Sequence, residues 1–155
     1  LTCWDQPEAL FEIIDGRAAI LTPHAGEFRH LFPDTDPETE TFEARGKAVQ
    51  RAAARSGAVV LLKGPDTIIS TPDGEIAHLS SRGPDAVPWL ATAGTGDVLA
   101  GLIAGLCARS FPLFEAACTG AWIHAAAARH LGPGMIAEDL PEAIPAVLKA
   151  VANGS

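Results

Sequence analysis

The chain has 155 residues, with 11 lysines and arginines against 19 aspartates and glutamates, for a net charge of −8. At 48% hydrophobic and 19% charged residues it has the composition of a folded globular protein, not of a disordered segment. The acidic balance excludes the basic stripe that a nucleic-acid partner requires, and no apolar run reaches the ~18 residues of a membrane span.

Pro7 to Ile14 is predicted as a short helix, with Pro7 suited to its first turn and Gly16 placed to end it. Ala18-Ala19-Ile20-Leu21 is a short apolar run, as in a strand buried on both faces. It delivers Thr22-Pro23-His24-Ala25-Gly26-Glu27 at its C-terminal end, with Glu27 opening a helix. Residues 33–41, rich in Pro, Asp, Thr and Glu, predict a loop and a helix start, and the helix itself is expected from Glu38 to Ser56. Ala58 to Leu62 is the next buried strand and hands over Lys63-Gly64-Pro65-Asp66-Thr67. Thr67 to Thr71 and Glu75 to Leu79 flank Pro72-Asp73-Gly74 as a β-hairpin. A long loop is expected over 80–96, then helices over 95–109, 114–131 and 138–152. This order implies an α/β sheet, mainly parallel, with crossover helices and antiparallel strands near one edge. No linker interrupts it, so residues 1–155 are expected to form a single domain. Cys3, Cys107 and Cys118 are an odd number at no metal-ligand spacing, and are expected to be buried free thiols of a reducing, cytoplasmic compartment.

Three polar clusters follow a strand or precede a helix: Thr22 to Glu27, Lys63 to Thr67, and Gly94 to Asp97. At the C-terminal ends of parallel strands they are expected to line one cleft. The third cluster, Gly94-Thr95-Gly96-Asp97, runs straight into an apolar helix. Amides at a helix start lack intrahelical partners and carry the positive end of the dipole, and glycines let a phosphate come close to them. A carboxylate there repels such a ligand unless it has a task, and taking a proton from an attacking hydroxyl is that task. The alternative is that Asp97 is an N-capping residue.

The other clusters also leave alternatives. Lys63 could pair with a nucleotide phosphate or be a solvated charge, with Gly64 behind it allowing close backbone approach. Asp66 and Thr67 could be turn formers alone. His24 could hydrogen-bond a polar substrate or be structural. Glu27 fits a helix N-terminus better than a cation site. His124 on its apolar helix reads as packing, and His30, His78 and His130 have no companion in sequence. No spacing supports a zinc site.

Thr22-Pro23-His24-Ala25-Gly26-Glu27-Phe28, then Leu62-Lys63-Gly64-Pro65-Asp66-Thr67, then Ala91-Thr92-Ala93-Gly94-Thr95-Gly96-Asp97-Val98-Leu99-Ala100-Gly101, in this order, resemble the ATP/ADP-dependent NAD(P)H-hydrate dehydratases. The resemblance covers about residues 7–150 and includes Phe114-Glu115-Ala116-Ala117 before a histidine-bearing helix. It implies a ribokinase-like three-layer sandwich, with a mostly parallel central sheet and helices on both faces. It also implies repair of hydrated NADH and NADPH. Asp97 would deprotonate the ring hydroxyl, which attacks the terminal phosphate of ADP or ATP. The amides of Gly94, Thr95 and Gly96 would stabilise the transferring group. His24 and Asp97 would face the hydrated dinucleotide, and Lys63, Gly64, Pro65, Asp66, Thr67 and Gly96 would hold the adenine nucleotide. Mg2+ would accompany the phosphates without an evident protein ligand. A homo-oligomer is implied as well.

Two features depart from the family pattern. Gly83-Pro84-Asp85-Ala86-Val87-Pro88-Trp89-Leu90 replaces an Asn-Pro-Gly-like run before the Ala-Thr, which touches local substrate contacts. Family domains are also about twice as long, and the chain begins at Leu1 without Met. It is therefore expected to be the C-terminal portion of such a domain, incomplete at its N-terminal side, lacking an N-terminal segment or a fused epimerase domain. Two alternatives share the phosphate cradle: a ribokinase-like kinase for a hydroxyethylthiazole or pyrimidine, and a non-catalytic nucleotide-binding fragment.

Overall fold

The computed structural model describes residues 6–35 and 41–154. The chain forms two compact units, Leu1–His78 and Leu79–Ser155.

The first unit contains helices α1 (Pro7–Ile14), α2 (Ala25–Leu31) and α3 (Phe42–Ser56) and strands β1 (Ile20–Leu21), β2 (Val59–Leu62) and β3 (Asp66–Ser70). Strand β4 (Ile76–Ser80) runs across its boundary. The sheet order is β1-β2-β3-β4. β1 pairs parallel with β2, Ile20 opposite Val59, and β2 pairs antiparallel with β3, Leu61 opposite Ile69. Parallel pairing of β1 with β2 requires a crossover, and α2 and α3 supply it. Every residue of β2 is buried, odd and even alike, as a continuous apolar strand demands.

Helix α3 shows why the local sequence folds as it does. Thr41 caps it, Oγ1 accepting from the Ala44 amide at 3.2 Å, and Gly57 closes it in the left-handed conformation (φ 68°) with its amide donating to Ala53. Its small face (Val49, Ala52, Ala53) packs with Leu10, Phe28, Leu31 and Phe32 over Val60, Leu62 and Ile68. Phe28 and Phe32 are fully buried, with ring centroids 4.9 Å apart. Burial of each contributes about 1.5–3 kcal/mol. The part of the predicted helix from Glu38 to Glu40 lies outside the described residues, as does Cys3.

The second unit is helical: α4 (Thr95–Ala108), α5 (Leu113–Leu131) and α6 (Asp139–Ala152). Its core joins Ala127, Ala128, Leu140, Ala143 and Val147 with Val87 and Met135. The expected long loop contains two short 3₁₀ turns, Gly83–Asp85 and Pro88–Ala91. The indole Nε1 of Trp89 donates to the Ala128 carbonyl at 2.8 Å, which ties that loop to α5. Cys107 and Cys118 form no disulfide and are half-buried, not buried as the sequence led one to expect. Among the described residues no helix is long and apolar enough to cross a membrane.

Candidate active site

The first station is built by a helix cap. His24 is the N-cap of α2: its Nδ1 accepts from the amides of Gly26 (3.0 Å) and Glu27 (3.2 Å), while Glu27 Oε2 accepts from the His24 amide (2.8 Å). This is a capping box with imidazole in the place usually held by a hydroxyl. A neutral ring that accepts at Nδ1 carries its proton on Nε2. That edge is outward, the side chain being 59% exposed, with Nε2 3.6 Å from Glu27 Oε2. His24 therefore uses Nδ1 for the helix start, while Nε2 stands near the Glu27 carboxylate on a side chain that is largely exposed. Glu27 serves the helix start, as its sequence position suggests.

The second station lies beside the first. His24 and Lys63 form a parallel bridge, the Lys63 amide donates to the Pro23 carbonyl at 2.8 Å, and Lys63 Nζ is 3.7 Å from Glu27 Oε2. Thr67 Oγ1 donates to the Gly64 carbonyl at 3.2 Å and closes the turn. Gly64 and Pro65 stand exposed at its tip. Asp66 is not a bare turn former. Its Oδ1 is 3.2 Å from His78 Nε2 and its Oδ2 is 3.8 Å from Arg45 Nη1.

Arg45 and His78 are the residues that sequence reasoning misses. Arg45 sits among other basic residues of α3, and His78 on a strand whose alternate residues are exposed. Nothing local marks either, since their shared partner is distant in sequence. The Phe42 ring lies tilted against His78, with centroids 4.3 Å apart. Arg45 Nε is buried and has no hydrogen-bond partner among the described residues, a placement that costs about 1–3 kcal/mol.

The third station belongs to the second unit. Gly94 is the N-cap of α4, in the left-handed conformation (φ 87°), and a Cβ there would come within 3.0 Å of Ala137 Cβ. Glycine is thus required both by backbone conformation and by space. Asp97 is the third residue inside the helix and exposed, so it is not the cap. Among the described residues the amides of Gly94 and Gly96 make no hydrogen bond, whereas the Thr95 amide lies 3.4 Å from the Thr92 carbonyl. The Thr95 side chain faces inward, Oγ1 lying 2.7 Å from the Leu90 carbonyl and 2.9 Å from that of Thr92. It holds the loop against the helix start. His124, buried on α5, adds a hydrogen bond from Nε2 to the Thr95 carbonyl at 2.9 Å. The arrangement leaves two glycine amides open at a helix start, with the exposed Asp97 carboxylate on the residue after Gly96.

No group of three His, Cys, Asp or Glu among the described residues is disposed to hold a metal ion.

Comparison with known proteins follows the same residues. The family model described as NAD(P)H-hydrate dehydratase matches residues 12–146. The bifunctional NAD(P)H-hydrate repair enzyme Nnr of Methanopyrus kandleri is 42% identical over 134 residues, covering 84% of this chain and 26% of that protein. The Bacillus subtilis ADP/ATP-dependent NAD(P)H-hydrate dehydratase, co-crystallised with ATP/Mg2+, superposes with a TM-score of 0.71 at 32% identity, over 86% of this chain and 48% of that one. A ribokinase-like superfamily protein of Enterococcus faecalis superposes with a TM-score of 0.66 at 28% identity, over 84% and 43%. The α/β class and ribokinase-like fold expected from the sequence hold. The chain spans half or less of the length of the relatives it matches. With the match running through all three stations, the chain belongs to the NAD(P)H-hydrate dehydratase family.

Proposed function

We propose that the chain serves ADP- or ATP-dependent dehydration of hydrated NADH or NADPH back to the reduced dinucleotide. The observation that carries this is Asp97, exposed one turn inside α4 beyond the unengaged Gly94 and Gly96 amides. A carboxylate beside an anion cradle suits a base that acts on a hydroxyl while a phosphoryl group is held. In this proposal Asp97 removes the proton of the ring hydroxyl, and the oxygen attacks the terminal phosphorus of the nucleotide. The P–O bond to the nucleotide breaks, and the open amides of Gly94 and Gly96 stabilise the charge on the transferring group, whereas the Thr95 amide, expected from the sequence to join them, is turned to the Thr92 carbonyl. Electron push from the ring nitrogen then expels phosphate, and loss of a neighbouring ring proton restores the dihydronicotinamide.

His24 is proposed to meet the dinucleotide through its Nε2–H. Lys63 and the Gly64-Pro65-Asp66-Thr67 turn, with Gly96, are proposed to hold the adenine nucleotide, which would arrive as its magnesium complex. We also propose that residues 1–155 form the C-terminal portion of one ribokinase-like domain, in a cytoplasmic homo-oligomer. A fused second activity upstream accords with the bifunctional relative.

The test mixes the chain with NADH hydrate, magnesium and either ADP or ATP, and follows the near-ultraviolet absorbance of the reduced nicotinamide together with free phosphate. A nucleotide-dependent rise in both, abolished in Asp97→Asn, supports the proposal. A stable phosphoester in place of free phosphate would show a kinase instead.

A further inference from the structure

We infer that Arg45 is a positioning residue of the nucleotide-binding turn: it neutralises Asp66, so that the turn after β2 can accept an anion. The inference rests on the nucleotide role proposed above for Lys63 to Thr67. Among the described residues two cations, Lys63 and Arg45, stand against two carboxylates, Glu27 and Asp66, joined in pairs at 3.7 and 3.8 Å. Removal of Arg45 takes one positive charge from the turn, in the place where a phosphate-bearing ligand is proposed to sit.

The geometry is specific. Asp66 and Arg45 are mostly buried, 14% and 19% exposed, so water screens their interaction less than that of surface pairs. His78 holds the other carboxylate oxygen at 3.2 Å, and Phe42 backs the imidazole. The carboxylate is therefore fixed from two sides and turned toward α3. Arg45 Nη2 also stands 3.5 Å from where a Gly64 Cβ would be, against the turn itself. An arginine with a buried, unpartnered Nε is poorly explained as a local stabiliser. Its position against both Asp66 and Gly64 is explained if the charge is what the turn needs.

The test is a double-mutant cycle read by equilibrium binding of ADP and ATP, with magnesium, to the whole chain. Arg45→Met is expected to weaken binding roughly ten- to a hundredfold, the range produced by an uncompensated like charge near an anion. Arg45→Lys is expected to recover part of this loss. Combining Arg45→Met with Asp66→Asn is expected to recover most of it, because the uncompensated charge is gone. A merely structural arginine would lose binding only in proportion to folded protein, as the unfolding midpoints of the single and double variants report, and that outcome overturns the inference. Unchanged binding in Arg45→Met, with its unfolding midpoint preserved, also overturns it. Failure of the unmodified chain to bind either nucleotide overturns the nucleotide role itself, and the inference with it.

Discussion

Lys63 Nζ and Glu27 Oε2 lie 3.7 Å apart, and the same carboxylate oxygen accepts the His24 amide at 2.8 Å. The end of β2 and the first turn of α2 are thereby held by one atom. Glu27→Ala removes the return half of the capping box and the partner of Lys63 together. It is expected to lower stability by about 1 kcal/mol. Glu27→Gln can still accept the amide and is expected to lose less. Urea unfolding of the two variants checks the order, and equal stability of all three proteins would refute the shared role.

Asp97→Asn separates catalysis from folding. If Asp97 is the general base, turnover falls by about 10²- to 10⁴-fold. The exposed carboxylate is not the cap, and its charge near the helix N-terminus contributes about 0.3–1 kcal/mol. Turnover and thermal unfolding measured on the same preparation decide. Loss of activity in proportion to loss of folded protein would assign Asp97 a structural role.

Gly94→Ala tests the cradle through its backbone. The residue must hold φ at 87° with a Cβ 3.0 Å from Ala137. Strain of this kind costs about 1–3 kcal/mol. Relief by a shift of the α4 start would move the Gly96 amide. Nucleotide binding is therefore expected to weaken along with stability, and calorimetric titration of the variant with ADP measures it. Unaltered affinity would mean that the ligand does not use these amides.

Gly120→Ala tests the contact between α4 and α5. A Cβ at 120 would come within 2.6 Å of Ile103 Cγ1, with the Ile103 backbone close behind at 3.6 Å. The helices must part or the side chain must leave its rotamer, which costs about 1–3 kcal/mol. Trimming Ile103 to Ala makes room, so the two substitutions together should destabilise less than the sum of each alone. Additive losses in a denaturant series would contradict the packing argument.

The elements were legible where pattern and punctuation agreed. Pro7 and Gly16 bracket α1, Gly57 stops α3, and the apolar run 58–62 contains the fully buried strand Val59–Leu62. Glu27 was legible as a helix-start residue because acidic side chains near an N-terminus have a local physical reason. What sequence withheld is non-local. His78 stands alone along the chain until β4 comes within reach of Asp66, and Arg45 reaches the same carboxylate from a helix that precedes the strand. The cap role of His24 was also hidden, since imidazole is not among the usual capping groups. In the loop 80–96 the hydrogen bond from Trp89 to Ala128 supplies the order that composition could not reveal.

Acid is expected to remove the stabilisation that the Glu8 and Glu43 carboxylates give to the starts of α1 and α3. The carboxyl of Glu8, in the first turn of α1, is held below its usual value by a backbone hydrogen bond at the helix start and by its hydrogen bond to Arg55. Glu43 is lowered by its hydrogen bond to Lys47, one turn along α3. A depressed folded-state value means that the unfolded chain takes up the proton first as pH falls. The stabilisation is then complete above the unfolded value, about 4.3, and is lost as pH drops through the folded one. Glu8→Gln should accordingly show a constant stability gap from wild type near neutral pH, and the gap should close in the acid limb. Because the backbone hydrogen bond is the larger cause, Arg55→Ala should leave part of the gap in place. Salt should reduce only the share that comes from Arg55. A gap that persists unchanged well below the glutamate range would show that Glu8 stabilises through packing, not through its charge.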